Sequence, residues 1–248
     1  ANTGLGANSL MSNTTGVQNT AGGVNALTNN TIGNNNTAYG VAASQLSTTG
    51  WGNTAIGISA LNKNITGYYT TAVGSYALNY NISATTSVAL GYGAGQGLVD
   101  YSNQGGTYLG YQSGLSADTG SDFNTFLGYQ SGYGATTGSN NIWIGSATSS
   151  TAIANLTTGS QNILIGNNIS LPSATDSGQL NIGNILYGTG NTGTGSTLST
   201  GRIGIGTTSP ASMFAVAGDS FFGGNIIATG SLTADSLTLT NQLSVANG

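Results

Sequence analysis

The sequence predicts an all-β fold, a parallel β-solenoid or β-roll, from three observations. A glycine recurs at a constant interval of 17 residues through the first part of the chain, at Gly6, Gly23, Gly40, Gly57, Gly74 and Gly91. Each of these ladder glycines closes a pentapeptide resembling Asn-Thr-Ala-Ile-Gly, in which side-chain character alternates as in a short strand. The 42 glycines, with abundant Thr, Ser and Asn, disfavour long helices.

Each 17-residue unit, or coil, is predicted to hold two short strands. The first is the pentapeptide, as in Asn53-Thr54-Ala55-Ile56-Gly57, and the second is an apolar pair three and four residues later, as in Ala60-Leu61. A further glycine ten residues after the ladder glycine, such as Gly67, suits a turn. This length leaves no room for a crossover helix. Successive coils should therefore stack as parallel strands about 4.8 Å apart.

The alternation also predicts which side chains face inward. We expect the residue before each ladder glycine, such as Ile56, to fill a thin interior together with the threonine two positions earlier. Exposed threonine columns are typical of ice-binding solenoids, but this pattern favours an inward, structural role for Thr3, Thr20, Thr37, Thr54 and Thr71. Asn and Thr columns are expected to satisfy polar groups of neighbouring coils.

The residue two before the ladder glycine is expected to face away from the coil interior. Beyond Gly91 the spacing loosens and about twelve coils are predicted, the last at 202–206. Alanines in this column then give way to bulky side chains, which would form an exposed apolar patch in a monomer and so predict an intersubunit interface. The predicted interface residues are Ala21, Ala38, Ala55, Ala72, Ala89, Tyr108, Phe126, Trp143 and Leu164. A homotrimer is the hypothesis that fits this column.

Composition narrows the function classes. The chain has two basic residues, six aspartates and no Glu, His or Cys, so a Ser-His-Asp or Cys-His nucleophile and a His or Cys metal site lack their residues. The net charge of −4 argues against nucleic-acid binding, and no apolar run approaches the length of a membrane span. We therefore expect no enzyme activity, no cofactor and no membrane insertion.

Two small groups of polar residues are candidate sites. Asp118 and Asp122 could bind Ca²⁺ with loop carbonyls, although a solvated turn is the alternative that their number favours. The segment Gly-Tyr-Gln-Ser-Gly occurs twice, and it places Tyr111, Gln112, Tyr129 and Gln130 at equivalent turns. These four side chains could contact a glycan, or they could form a structural ladder repeated because the coil repeats.

The sixth unit, Thr86-Ser87-Val88-Ala89-Leu90-Gly91, resembles the head repeat of trimeric autotransporter adhesins, the YadA-like heads, whose hallmark is Asn-Ser-Val-Ala-Ile-Gly. The resemblance covers residues 1–100 well and extends more loosely to 206. It implies a left-handed β-roll, a trimer and cell-surface adhesion. The C-terminal segments at 204–210 and 214–218 resemble a stretch common in phage tail fibres and large bacterial surface fibres.

Three regions and one function follow as expectations. Regular repeats occupy 1–100, irregular coils with longer loops occupy 101–206, and a β stalk or assembly segment occupies 207–248. We expect an extracellular fibre at a cell or virion surface that mediates attachment, with itself and a host glycan or protein as partners. A tail fibre that recognises a host receptor and a self-assembling filament subunit are the alternatives.

Overall fold

The computed structural model describes residues 1–148, 156–193 and 196–220. The chain divides into two compact units, Ala1–Ala217 and Gly218–Gly248. The first unit contains one 14-stranded sheet, and no helix occurs among its described residues. Its strands are β1 (Thr3–Leu5), β2 (Thr20–Gly22), β3 (Thr37–Tyr39), β4 (Thr54–Ile56), β5 (Thr71–Val73), β6 (Val88–Leu90), β7 (Thr107–Leu109), β8 (Thr125–Leu127), β9 (Ile142–Ile144), β10 (Ile163–Ile165), β11 (Leu180–Ile182), β12 (Leu186–Thr189), β13 (Arg202–Ile205) and β14 (Phe214–Val216).

Strands β1 to β11 form a parallel stack in which each strand pairs with the equivalent strand of the next coil. Thr37 pairs with Thr54, for example, and Ala55 pairs with Ala72. The register is maintained where the loops lengthen, as Phe126 pairs with Trp143. The all-β class, the parallel solenoid and the repeat of about 17 residues are thereby confirmed.

The ladder glycines are required by the closeness of this stacking. Gly57 has φ +131°, a conformation that L side chains rarely adopt. A Cβ on Gly57 would lie 2.6 Å from the carbonyl carbon of Gly74 in the next coil. A side chain at Gly57 would therefore push adjacent coils apart.

In residues 1–148 and 156–193 each coil holds one strand and not two, so this part of the prediction was wrong. The apolar pair Ala26-Leu27 lies in a turn, and both residues are fully buried. An extended strand alternates its faces and cannot bury two consecutive side chains on one side. Leu27 achieves this with a left-handed backbone, φ 49°, while its N–H still donates to Ala43 O in the next coil at 3.1 Å.

The sheet changes direction after β11. Strand β12 pairs antiparallel with β11, and β13 pairs antiparallel with β12. The predicted twelfth coil at 202–206 is therefore a hairpin strand, and eleven parallel strands define ten turns of the solenoid. The predicted stalk lies largely outside the described residues, except for β14, which pairs parallel with β13.

The two faces of the stacked strands are the reverse of the prediction. The nine residues predicted as an intersubunit interface, Ala21, Ala38, Ala55, Ala72, Ala89, Tyr108, Phe126, Trp143 and Leu164, are all buried in the core of the single chain. The residues predicted to fill the interior point outward instead, as Ile56 and Leu90 do. The physical reason is volume. The narrow space across from each strand already holds the buried Ala-Leu pair of the turn, so only a small strand residue fits beside it.

Tyr108 and Phe126 enter the core because the opposite wall becomes smaller. In a regular coil Ala55 faces a core shared with Leu61, four residues after the ladder glycine. At the equivalent position the later coils have Gly114 and Gly132. A Cβ on Gly114 would lie 2.5 Å from the Tyr108 ring, and one on Gly132 would collide with the Phe126 ring. The exchange of an Ala and Leu pair for an aromatic and Gly pair keeps the core filled.

A ladder of buried asparagine amides holds the corner before six of the strands, as expected for the asparagine columns. Asn36 Nδ2 donates to Gly50 O at 2.8 Å, and the Asn36 backbone N–H donates to Asn19 Oδ1 at 2.9 Å. Asn36 Oδ1 in turn accepts the N–H of Asn53 at 3.0 Å. Each side chain thereby satisfies backbone groups that no strand pairing reaches.

Candidate functional site

The outward face of the parallel sheet is an apolar surface that runs across the whole stack. We call it the outer face and define it by the residue before each ladder glycine together with the residue two positions earlier. Apart from the buried Gly22, the first of these columns is aliphatic or aromatic, and its most exposed members are Leu5, Tyr39, Ile56, Leu90, Leu127, Ile144 and Ile165. These side chains are 39 to 70% exposed, which is unusual for aliphatic residues in such a regular array.

The threonine column belongs to the outer face, contrary to its predicted inward role. Thr3 and Thr71 are exposed, and Thr37 is half-buried beside its neighbours in the stack. The column becomes Val88, Ile142 and Ile163 further along. The bulky and varied aliphatic column beside it favours contact with protein over contact with the regular lattice of ice.

The predicted glycan residues form a ladder, which we call the tyrosine stripe. Tyr92, Tyr111 and Tyr129 stack with ring centroids 5.5 and 5.2 Å apart and interplanar angles of 14° and 9°. Gln130 Nε2 donates to Gln112 Oε1 at 2.9 Å. The structure thus brings the four predicted residues together. Both faces of the Tyr111 ring are covered by other tyrosines, an arrangement that favours the structural alternative.

The two aspartates of the predicted calcium site each accept a backbone hydrogen bond. Asp118 Oδ1 accepts the N–H of Thr119 at 2.6 Å within its own turn. Asp122 Oδ1 accepts the N–H of Gln104 in the preceding coil at 2.9 Å. No group of three or more metal-binding side chains occurs among the described residues. A calcium site at these residues stays a prediction.

Two tyrosines are buried in the region where the loops lengthen. Tyr101 donates a hydrogen bond to Gly95 O, and the Tyr108 hydroxyl accepts one from Asn103 Nδ2 at 2.7 Å. Burial raises the pKa of Tyr101, with a smaller contribution from Tyr108, and burial likewise raises the pKa of Tyr108. Both hydroxyls therefore stay protonated and serve the packing of the core.

Sequence reasoning missed a second group of exposed aromatic residues, at the corner that precedes the strands. Trp51 and Tyr68 occupy equivalent positions in consecutive coils and stack at 5.3 Å with an angle of 15°. Tyr69 contacts the Trp51 ring edge-on, with centroids 4.4 Å apart. We call these three residues the aromatic shelf. The signal in the sequence was the 17-residue interval between Trp51 and Tyr68.

No protein-family model matches the chain, and comparisons with curated proteins and with solved structures give no match either. In the described part of the chain no helix is available to cross a membrane. Function must therefore be argued from the surfaces themselves.

Proposed function

We propose that the chain is an extracellular fibrous protein without catalytic activity, which assembles as a homotrimer through its outer face and mediates attachment to a surface. The observation that carries this proposal is the exposure of large apolar side chains on seven of the eleven parallel strands along that face. Water contact with such a surface is unfavourable, and large exposed apolar patches mark interaction sites. A second copy of the same chain offers a complementary surface with the same spacing.

The outer face is about as large as one side of a standard protein interface. Eleven strands about 4.8 Å apart extend for roughly 50 Å. Three strand residues and the flanking positions are roughly 15 Å wide, which gives about 750 Å² for each chain. A standard interface buries about 800 Å² on each partner. The resemblance to trimeric adhesin heads favours three copies over two.

Oligomeric state is the direct test. We expect light scattering coupled to size-exclusion chromatography to give three times the chain mass, and electron microscopy to show rods. Ile56→Lys places a charge in the middle of the outer face and should dissociate the assembly. Leu98→Lys is the matched control, because Leu98 is an exposed leucine in a loop away from the strands. A folded wild-type monomer would refute the proposal.

Two alternatives keep the same architecture. A tail fibre that recognises a host glycan or receptor would bind selected members of a glycan or cell panel, as an adhesin would. A self-assembling filament subunit would bind none of them and would form long polymers in the electron microscope. The segments at 204–210 and 214–218, with their resemblance to tail fibres, favour keeping the first alternative.

A further inference from the structure

The aromatic shelf interrupts a regular feature of the corner at which it lies. At the equivalent position in most other coils, a short polar side chain accepts the backbone N–H of the preceding coil. Asn34 Oδ1 accepts from Val17 N at 2.7 Å, Asp122 Oδ1 accepts from Gln104 N at 2.9 Å, and Ser177 Oγ accepts from Ser160 N at 3.0 Å. This ladder is a structural device that ties each coil to the next.

Trp51 and Tyr68 cannot serve this ladder. An indole has only a donor, and the hydroxyl of a tyrosine lies at the far end of its ring. The two coils therefore lack the side-chain bond, as the coils of Thr85 and Gln104 also do, and they expose two large rings instead. Departures of this kind from a local rule of the fold are expected at functional sites.

The third ring is held in place at a cost in backbone energy. Tyr69 has φ 54°, a left-handed conformation that is unfavourable for bulky residues and that Gln, Asn or Gly adopt at this position in most other coils. Its ring lies over Gly52, where an added Cβ would be 3.0 Å from Tyr69 Cδ1. Tyr69 N also donates to Trp51 O at 3.2 Å. The three rings are thus fixed before any partner arrives.

The surroundings of the shelf are polar and uncharged. In the same two columns, Asn34 and Asn35 lie in the preceding coil, and Thr85 and Thr86 lie in the following coil. Amide and hydroxyl groups therefore border the rings on both sides. An aromatic surface with a few hydrogen-bonding groups around it suits a ligand that has one apolar face and many hydroxyls.

From this arrangement we infer that the aromatic shelf is a binding site for a neutral oligosaccharide. Tyr69 is 58% exposed and is stacked face to face on neither of the other two rings. The C–H face of a pyranose ring can therefore stack on Tyr69, while the sugar hydroxyls bond to the neighbouring amides and hydroxyls. A sulfated or uronic-acid sugar would need a cation, and Lys63 is already paired with Asp100 at 2.6 Å. The inference rests on the proposed attachment function and names the class of its partner.

Tryptophan fluorescence provides a specific test, because Trp51 is 38% exposed whereas Trp143 is fully buried. The full chain is titrated separately with chitohexaose, cellohexaose, maltohexaose and mannohexaose, with hexagalacturonate as the acidic counterpart. We expect saturable quenching or a blue shift with at least one neutral hexasaccharide. Trp51→Ala should weaken binding of that sugar, measured by calorimetry, at least 10-fold. Phe123→Ala is the matched control and should bind as wild type does, because Phe123 is an exposed aromatic residue in the column of Tyr69 but three coils further along.

Four results would overturn the inference, and three of them come from the sugar titrations. They are no saturable response to any neutral hexasaccharide, a response to hexagalacturonate alone, and equal affinity of Trp51→Ala and wild type. If glycan-free host proteins alone bind at Trp51, the shelf contacts protein and the inference also fails. Light scattering on the same samples separates the two proposals. A trimer that binds no sugar refutes only the site, and a monomer that binds sugar refutes only the assembly.

Discussion

The replacement of small strand residues by aromatic ones predicts a strong energetic coupling across the core. Phe126 is buried, and its ring fills the space that Gly132 leaves open on the opposite side of the coil. Phe126→Ala should cost about 3–5 kcal/mol of stability, because it leaves a cavity. Gly132→Leu alone should cost about 2–5 kcal/mol, since overpacking against the ring adds to the expense of a left-handed leucine.

The double variant recreates the Ala55 and Leu61 pair of a regular coil. Leu61 has φ 52° and Gly132 has φ 61°, so the backbone of the later coil already suits a leucine in this position. The double variant should therefore lose only about 1–3 kcal/mol, which makes the coupling energy at least about 2 kcal/mol.

Guanidinium unfolding followed by circular dichroism measures the four stabilities, and amide hydrogen exchange locates the effect in the stack. Gly183→Leu combined with Phe126→Ala is the control, because a Cβ on Gly183 meets no atom within 4 Å although φ is 60°. That pair should be additive. Additivity of Phe126→Ala with Gly132→Leu to within about 0.5 kcal/mol would refute the proposed exchange of volume across the core.

Three further predictions concern the ladders and the buried tyrosines. Gly57→Ala should lower the free energy of unfolding by more than about 3 kcal/mol, because the added Cβ would lie 2.6 Å from the next ladder glycine. Gly183→Ala is the control and should lower it only by the left-handed penalty of about 1–2 kcal/mol. Thermal unfolding of the two variants compares these losses. Asn36→Leu should lower the free energy of unfolding in guanidinium by about 2–6 kcal/mol, because it leaves the Gly50 carbonyl and the Asn53 N–H without partners. A loss below about 1 kcal/mol would contradict the role of the asparagine ladder. Burial raises the pKa of Tyr101 and Tyr108, so the folded state keeps protons that unfolded tyrosines lose above a pH of about 10. Above that pH, each tyrosine should lower the free energy of unfolding by up to about 1.4 kcal/mol per pH unit. Tyr101→Phe should therefore make the melting temperature fall less steeply with pH.

The repeat and the parallel stacking could be predicted from the sequence because they depend on spacing alone. Spacing could not predict which side of each strand faces the core. Ala55 and Ile56 are adjacent and both apolar, so hydrophobicity does not show which of them points inward. The deciding quantity is the volume of the coil interior. The consecutive pair Ala60-Leu61 carried that information, because two adjacent buried residues require a turn.

The candidate sites also combine features that follow from residue spacing with features that do not. The stacking of Tyr111 on Tyr129 follows from their equivalent positions and could be predicted, but the covering of the ring faces depends on ring orientation. The aromatic shelf was missed because Trp51 and Tyr68 do not recur in other coils. A repeat pattern consists of the residues that most coils share, and a residue that appears only once or twice in its column is not part of it.

The constant register of the parallel strands makes whole coils interchangeable. Removal of residues 41–57 would join Gly40 to Ile58, which is the neighbour that Gly57 has at present, and every column would remain continuous. Removal of one residue fewer would turn the strand over and expose its core side chains. The length of such a protein can therefore change in steps of about 4.8 Å, and each step adds one row to the outer face. The length of the solenoid and the area of its outer face therefore increase in proportion. The outer-face area available in each coil stays the same whatever the number of coils.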